Sequence, residues 1–395
     1  MAAAYYDYPR AGRTLLGGLL SHFDPASYSI LSREDPGRDP SAPVPDNRVY
    51  RLPLPVPWLK RGRRPLMRAH VPVLRSQVRR VVDEVRPDVL VVLYPELHFV
   101  EAVADVAQGA RIPWAVYLCD TLEQGHQIGW EARWARRLRP RLLCEASAAF
   151  AVTPALAEFT SASWGVRCAS VPHAYPEAIP DSPPPDLHSA SAFLGGRFYE
   201  VNRRSTARLV SAFARCGCRV TLCTPTSQAH LEAHGIPTRG VQVAYVADRP
   251  TYLATIRQNG MLAISLDWPD EIDWEDVHLK TAFPTRSVEL IASGRAVLVH
   301  CPADYYLARF FADRGCGLVV SERSMAAIDQ AVRRLLDDAD LRASLGAKAL
   351  EAARFFQSDR VAAVLQAEVK AAAEAGWGRG LVPCPLGQDQ AGNHA

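Results

Sequence analysis

At 395 residues the chain is long enough for two domains of ordinary size. Its 48% hydrophobic and 22% charged composition is that of a globular protein and excludes a disordered one. A formal net charge of +3 gives no reason to expect a nucleic-acid partner, and no apolar run approaches the ~18 residues a membrane span requires.

The opening Met1-Ala2-Ala3-Ala4-Tyr5-Tyr6-Asp7 lacks the basic and apolar regions of a signal peptide. Of the nine cysteines, Cys216 and Cys218 form the one tight pair, without the spacing of a zinc site. Reduced, buried thiols and a cytoplasmic location are the expectation. In chain order, an apolar strand is predicted from Val89 to Tyr94, then a helix from Phe99 to Gln108 and a strand from Trp114 to Cys119 ending at Asp120. A strand over Ala149 to Thr153, a helix from Ala155 and a strand over Cys168 to His173 complete this half. Buried strands alternating with helices predict a parallel α/β sheet. The start departs from that plan, because only Met1 to Tyr6 precede the loop Asp7 to Gly12. The first strand is either very short or lies upstream of the first residue given, and the second reading is preferred.

Pro176 to Asp186 is proline-rich and polar and reads as a linker. After it the alternation restarts, with strands over Ala192 to Gly196, Arg219 to Cys223, Val241 to Val246, Gly260 to Leu266 and Ala296 to Val299. Helices are predicted over Ser205 to Cys216, over the amphipathic stretch Met325 to Arg354, and over Ser358 to Ala375, before a frayed tail. The expected organisation is an N-terminal domain over 1–176, a hinge over 177–189 and a C-terminal domain over 190–357. A terminal helix over 358–377 and a tail over 378–395 follow.

The most informative segment is Phe283-Pro284-Thr285-Arg286-Ser287-Val288-Glu289-Leu290-Ile291-Ala292-Ser293-Gly294, followed by the strand at Ala296. Ser287 is the predicted N-cap and Gly294 the predicted C′ residue of a short helix. The amides of Thr285 to Val288 then sit at a helix N-terminus beside Arg286, where an anion is favoured, with Glu289 in the first turn. A phosphate with a hydroxylated neighbour fits such a corner. A generic strand-loop-helix corner of a doubly wound domain is the alternative.

This segment resembles the donor-binding motif of GT-B glycosyltransferases, most closely those of retaining family 4. The resemblance covers roughly Tyr8 to Lys370 and is sharper after the linker. It implies two Rossmann-like, doubly wound parallel-sheet domains facing across a cleft, with the final helix returning to the first domain. It implies that Glu289 bonds the donor ribose and that Thr285, Arg286 and Ser287 hold the diphosphate. Gly195-Gly196-Arg197, followed by Asn202-Arg203-Arg204, matches the family's Gly-Arg and a later basic residue, which puts Arg197 and Arg203 or Arg204 on the diphosphate; Arg203 is preferred. Gly12 takes the place of the family's N-terminal glycine loop near the donor phosphates, His173 a position lining the cleft at the hinge, and Asp120 a place among the catalytic residues with Glu289, orienting hydroxyls.

Two departures stand beside the match. The family's frequent first Glu is Thr281 here, and its frequent His stands as Cys119. Glu275, Asp276 and His278 are substitutes for the first that spacing does not select, and His98 with Glu96 is a secondary pair. The acidic, aromatic run Asp267 to Asp276 reads either as a sugar contact or as a solvated loop. The basic, apolar segment 58–80 reads either as a surface for an anionic membrane, on the inner face, or as a solvated helix face. The implied activity is transfer of a sugar from a nucleotide diphosphate sugar to an acceptor hydroxyl (small molecule, glycan or lipid-linked), with retention, without metal and without a cofactor beyond the donor. The alternative is a GT-B-like nucleotide-sugar-binding scaffold without catalysis.

Overall fold

The computed structural model describes residues 2–5, 18–33, 49–52, 68–94, 96–121, 129–185, 190–272 and 276–377. Met1–Val171 and Ala362–Ala395 form one compact unit, and Pro172–Val361 the other.

In the first unit the described strands are β1 (Ala2–Tyr5), β2 (Ser29–Arg33), β3 (Val49–Leu52), β4 (Leu90–Tyr94), β5 (Trp114–Leu118), β6 (Ala148–Ala151) and β7 (Cys168–Ser170). They lie in the order β3-β2-β1-β4-β5-β6-β7, with every pairing parallel. The strand order therefore reverses at β1, as in a dinucleotide-binding fold. β1 is short, four residues, yet it is central: Ala2 to Ala4 pair with Leu90 to Val92 on one side and with Ser29 to Leu31 on the other. Helices α1 (Val71–Val85), α2 (Leu97–Ala110), α3 (Gly129–Pro140) and α4 (Pro154–Trp164) connect them. α1 forms because Leu74, Val78, Val81 and Val82 recur on one face and are buried, while Arg75, Arg79 and Arg80 stay exposed. It stops at Arg86, whose left-handed backbone (φ 49°) turns the chain out of the helix.

The second unit holds β8 (Ser191–Gly195), β9 (Arg219–Cys223), β10 (Val241–Ala244), β11 (Met261–Ser265), β12 (Ala296–His300) and β13 (Leu318–Val320) in the order β10-β9-β8-β11-β12-β13, again all parallel. Its central strands β8, β11 and β12 are buried along their whole length and read as apolar runs because both faces are covered. Phe193, Leu262, Ile264, Val297 and Val299 enter one hydrophobic cluster; Ala192, Leu194, Met261, Ala263, Ala296 and Leu298 enter the other. That is the two-residue period of a pleated strand. The covering helices are α5 (Arg203–Arg215), α6 (Gln228–Ala233), α7 (Arg249–Arg257), α8 (Asp276–Thr281), α9 (Arg286–Ala292), α10 (Tyr306–Arg314), α11 (Met325–Asp337), α12 (Ala339–Ala353) and α13 (Ser358–Ala375), the last of which runs on into the first unit from Ala362.

Three expectations need correction. The amphipathic stretch from Met325 is two helices, because Asp338 adopts an extended backbone and its carboxylate caps α12 by accepting from the Leu341 amide. The strand predicted over Cys168 to His173 ends at Ser170. Cys144 is disulfide-bonded, whereas Cys119, Cys168, Cys216, Cys218, Cys223, Cys301 and Cys316 are free thiols. No described helix is long and apolar enough to cross a membrane.

Candidate functional site

In an open parallel sheet, ligands bind beyond the carboxyl ends of the strands where the order reverses. In the second unit that point lies between β8 and β11, so Gly195-Gly196-Arg197, directly after β8, stands at it. Gly196 has φ 108°, and a Cβ there would lie 2.5 Å from Arg286 Nη1 and 3.1 Å from its Cδ. A Cβ on Gly195 would lie 2.6 Å from the Tyr252 hydroxyl. The two glycines are thus what allows Arg286 and Tyr252 to close over the end of β8.

Arg286 opens the short helix α9, and Glu289 follows three residues later on the same helical face. Glu289 Oε1 accepts from Arg249 Nη1, and Tyr252 also bonds its carboxylate. Arg249 in turn grips Glu177 through Nε to Oε1 and through Nη2 to Oε2 at 2.9 Å. Burial pushes the Glu289 carboxyl up, and Arg249 and Tyr252 pull it down without fully offsetting that. Burial also works against the Arg249 charge, but its bonds to Glu177 and Glu289 outweigh it and raise its pKa. Both partners shift upward because the Glu289 side chain is the more deeply buried, 13% exposed against 30%. Burial lowers the pKa of Arg286 too, while Tyr199, Tyr252 and Glu289 favour its charged form. The guanidinium stays charged and faces the glycine loop.

The sequence placed Ser287 at the helix N-cap. The structure puts Thr285 there, with no side-chain cap bond, and Ser287 inside the first turn. Ser287 is fully buried and its hydroxyl has no hydrogen-bond partner. The Ser287 and Val288 amides are turned onto the Pro284 and Thr285 carbonyls at 2.8 and 3.3 Å, so they are not aimed outward at a phosphate. Gly294 is the C′ residue as expected, with φ 69° and its amide on the Ile291 carbonyl. His173 is buried beside this corner, its Nε2 3.4 Å from Thr285 Oγ1 and its Nδ1 without a partner. Desolvation lowers its pKa to about 4, so the ring is neutral near pH 7.

Arg197 is exposed, Arg203 is half-buried at the start of α5, and Arg204 is exposed. Asp120 lies in the first unit just past β5, and beside it desolvation and the Asp120 charge raise the Cys119 thiol to about 12. His98 is buried, its Nδ1 3.4 Å from Glu96 Oε2. Gly12 lies outside the described residues, as does Glu275. So does the first part of the basic segment, 58–67. In its remainder Arg75 pairs with Asp105 and Arg79 with Asp83 at 2.9 Å, the pattern of a solvated helix face.

In the described part of the acidic run after β11, Asp270 is exposed and pairs with Arg323 at 2.6 Å, whereas Asp267 and Glu271 are tied into the fold. Asp267 is fully buried and its carboxylate accepts from the Arg204 and Ser205 amides at 3.0 and 2.7 Å, capping α5. Glu271 takes both terminal nitrogens of Arg208, at 2.6 and 3.0 Å, and Trp268 packs its ring 4.8 Å from that of His300. Arg208 Nε donates to His300 Nε2 at 3.1 Å, which leaves the proton of the neutral ring on Nδ1, 3.0 Å from the Val320 carbonyl. This is an internal scaffold under the switch point.

Sequence reasoning missed Arg249, Glu177 and Tyr252. One signal was present: Asp248-Arg249-Pro250 is a capped helix start, with the Asp248 carboxylate accepting from the Thr251 amide at 2.9 Å. It could place Arg249 at a helix N-terminus, but not beside Glu289.

Residues 25–172 match the model of the glycosyl transferase 4-like domain. No curated protein sequence matches the chain. Among solved structures, sucrose-phosphate synthase from Thermosynechococcus elongatus is similar at 13% identity and TM-score 0.71, over 95% of this chain and 100% of that one. Anabaena HepE in complex with UDP and glucose is similar at 15% identity and TM-score 0.66, over 93% and 98%. An α,α-trehalose-phosphate synthase (UDP-forming) from Burkholderia vietnamiensis is similar at 13% identity and TM-score 0.63, over 94% and 99%. At these identities the likeness is one of fold. With two parallel sheets of the same doubly wound order, the chain has the GT-B fold, and its residues 25–172 match a glycosyl transferase 4-like domain.

Proposed function

We propose that the protein transfers a sugar from a UDP-sugar to an acceptor hydroxyl, with retention of configuration and without a metal ion. The observation that carries this reading is Arg286 packed on Gly196 at the end of β8, with Glu289 one turn further along the same helix. A diphosphate needs a cation and a close backbone approach, and a ribose diol needs a carboxylate within one helical turn of it. Arg286 meets the diphosphate, with Arg197 and Arg203 as further cations and the Thr285 corner beside them. Glu289 accepts from the ribose hydroxyls. Guanidinium groups supply the countercharge for the leaving diphosphate, which is why no metal is invoked. HepE has been solved with UDP-glucose, which makes the uridine donor the first to try. Asp120 is assigned to orienting a hydroxyl in the reaction, and His173, through Thr285, to holding the phosphate corner.

The test is thermal unfolding of the full chain with UDP-, GDP-, ADP- and dTDP-sugars, repeated for Arg286→Ala and Glu289→Ala. A donor at 100 times its dissociation constant adds about 2.7 kcal/mol of stability. The expected result is a shift with UDP-sugars that both variants abolish. No shift with any donor, or a shift undiminished in both variants, overturns the reading. Transfer in the presence of EDTA, and NMR of the product anomer, test the metal-free and retaining assignments.

A further inference from the structure

Resting on the donor site just described, we propose that Arg249, anchored by Glu177, is a positioning residue that holds Glu289 as an aimed carboxylate for the donor ribose. The three groups come from three separate places in the second unit: Glu177 from the segment before β8, Arg249 from the first position of α7, Glu289 from α9. Arg249 presents one edge, Nε and Nη2, to both oxygens of Glu177. That fork fixes the plane of the guanidinium and leaves Nη1 for Glu289 Oε1. The Tyr175 ring, 5.9 Å from Arg249 Cζ, closes another side. A guanidinium committed in this way is not available to a phosphate. What it does is set the charge and direction of the carboxylate it touches.

The charge matters because a vicinal diol donates two hydrogen bonds. An ionised carboxylate accepts on both oxygens, whereas a protonated one carries a donor on one of them. Glu289 is buried, and burial alone favours its neutral form. Among the described residues, the charged and titratable groups facing it are Arg249 and Tyr252 from α7, Tyr175 and Glu177 from the segment before β8, and Arg286 from its own helix. Of these, Arg249 is the cation in direct contact. Without it, Glu177 and desolvation both push Glu289 toward its neutral form, opposed by Arg286 and the Tyr252 bond.

The test is calorimetric binding of UDP-glucose to the full chain between about pH 5.5 and 8.5, a window in which the diphosphate diester has no proton to gain or lose. The unaltered protein should hold its affinity within about twofold across the window. Arg249→Met should bind about tenfold more weakly at the acid end and recover toward the unaltered value at the alkaline end, as the Glu289 carboxyl, pushed up by burial and without its cation, gives up its proton. That recovery also shows that the variant is folded. Arg249→Lys, which restores the cation, should be flat again. Arg249→Met binding like the unaltered protein throughout, or weakened equally at both ends, overturns the proposal while leaving the donor site intact. Undiminished binding by Glu289→Ala, or none by the unaltered protein, removes the donor-site reading and the proposal with it.

Discussion

Replacing Asp267 by alanine removes the cap of α5 from a residue 62 positions away in the chain. The residue at the N-cap itself, Asn202, makes no cap bond. Its side chain instead accepts from the Tyr199 amide at 3.0 Å and donates to the Arg197 carbonyl at 3.2 Å, stitching the loop after the glycines. The Arg204 and Ser205 amides therefore depend on the Asp267 carboxylate. Loss of a cap costs about 1 kcal/mol, and a second orphaned amide in a buried place about 1–3 kcal/mol more. Burial of the carboxylate, which raises its pKa, offsets part of this, so a net of about 2 kcal/mol is expected. For a unit of this size each kcal/mol moves Tm by about 2–4 °C, which gives a fall of about 4–8 °C. Scanning calorimetry of the full chain reads the transition of the second unit directly. Asp267→Asn keeps one acceptor oxygen and should lose about half as much. An Asp267→Ala transition within about 2 °C of the parent would refute the capping argument.

Gly196→Ala places a methyl group 2.5 Å from Arg286 Nη1. It should weaken UDP-glucose binding by about tenfold, as the guanidinium swings off the end of β8, while the positive φ adds about 1–3 kcal/mol of strain to the fold; calorimetric titration with unchanged affinity would show that Arg286 does not hold the donor. His173 and His300 are both kept neutral by burial, each with its pKa lowered to about 4 from 6.5. The unfolded chain binds those protons below about pH 6.5 and the folded chain only near pH 4, so stability rises with pH across that window and is lost on acidification. Each histidine contributes at most about 3 kcal/mol of that loss. Urea unfolding between those limits should show the slope, and His300→Gln should reduce it; an unchanged slope in that variant would place the proton uptake elsewhere.

The strands of the second unit were legible in the sequence because a strand covered on both faces needs no polar residue. Ala296 to Val299, Arg219 to Cys223 and Gly260 to Leu266 were readable as apolar runs between turn residues, and the structure moves their ends by a residue or so. The Gly195-Gly196 and Thr285 to Glu289 corners could be found for a related reason: close backbone approach and a helix start each leave a local signature. What stayed hidden was short, peripheral or paired at a distance. β1 has four residues and becomes a strand through its two neighbours, Ser29 to Ser32 and Leu90 to Val92. Ser287 looked like a cap because hydroxyl residues cap helices, yet the chain started its helix two residues earlier and buried it.

The amino-acid order by itself determined the alternation of strand and helix, the apolar character of both sheets and the helix carrying Arg286 and Glu289, since these depend on residues within a turn or two of each other. Only the tertiary structure decided what those charges meet. Asp267 turned from an exposed loop acid into the buried cap of α5 because β11 ends beside that helix. Arg249 and Glu177, 72 residues apart, came together on Glu289 because three separate segments converge there, and no local pattern encodes a convergence of that kind.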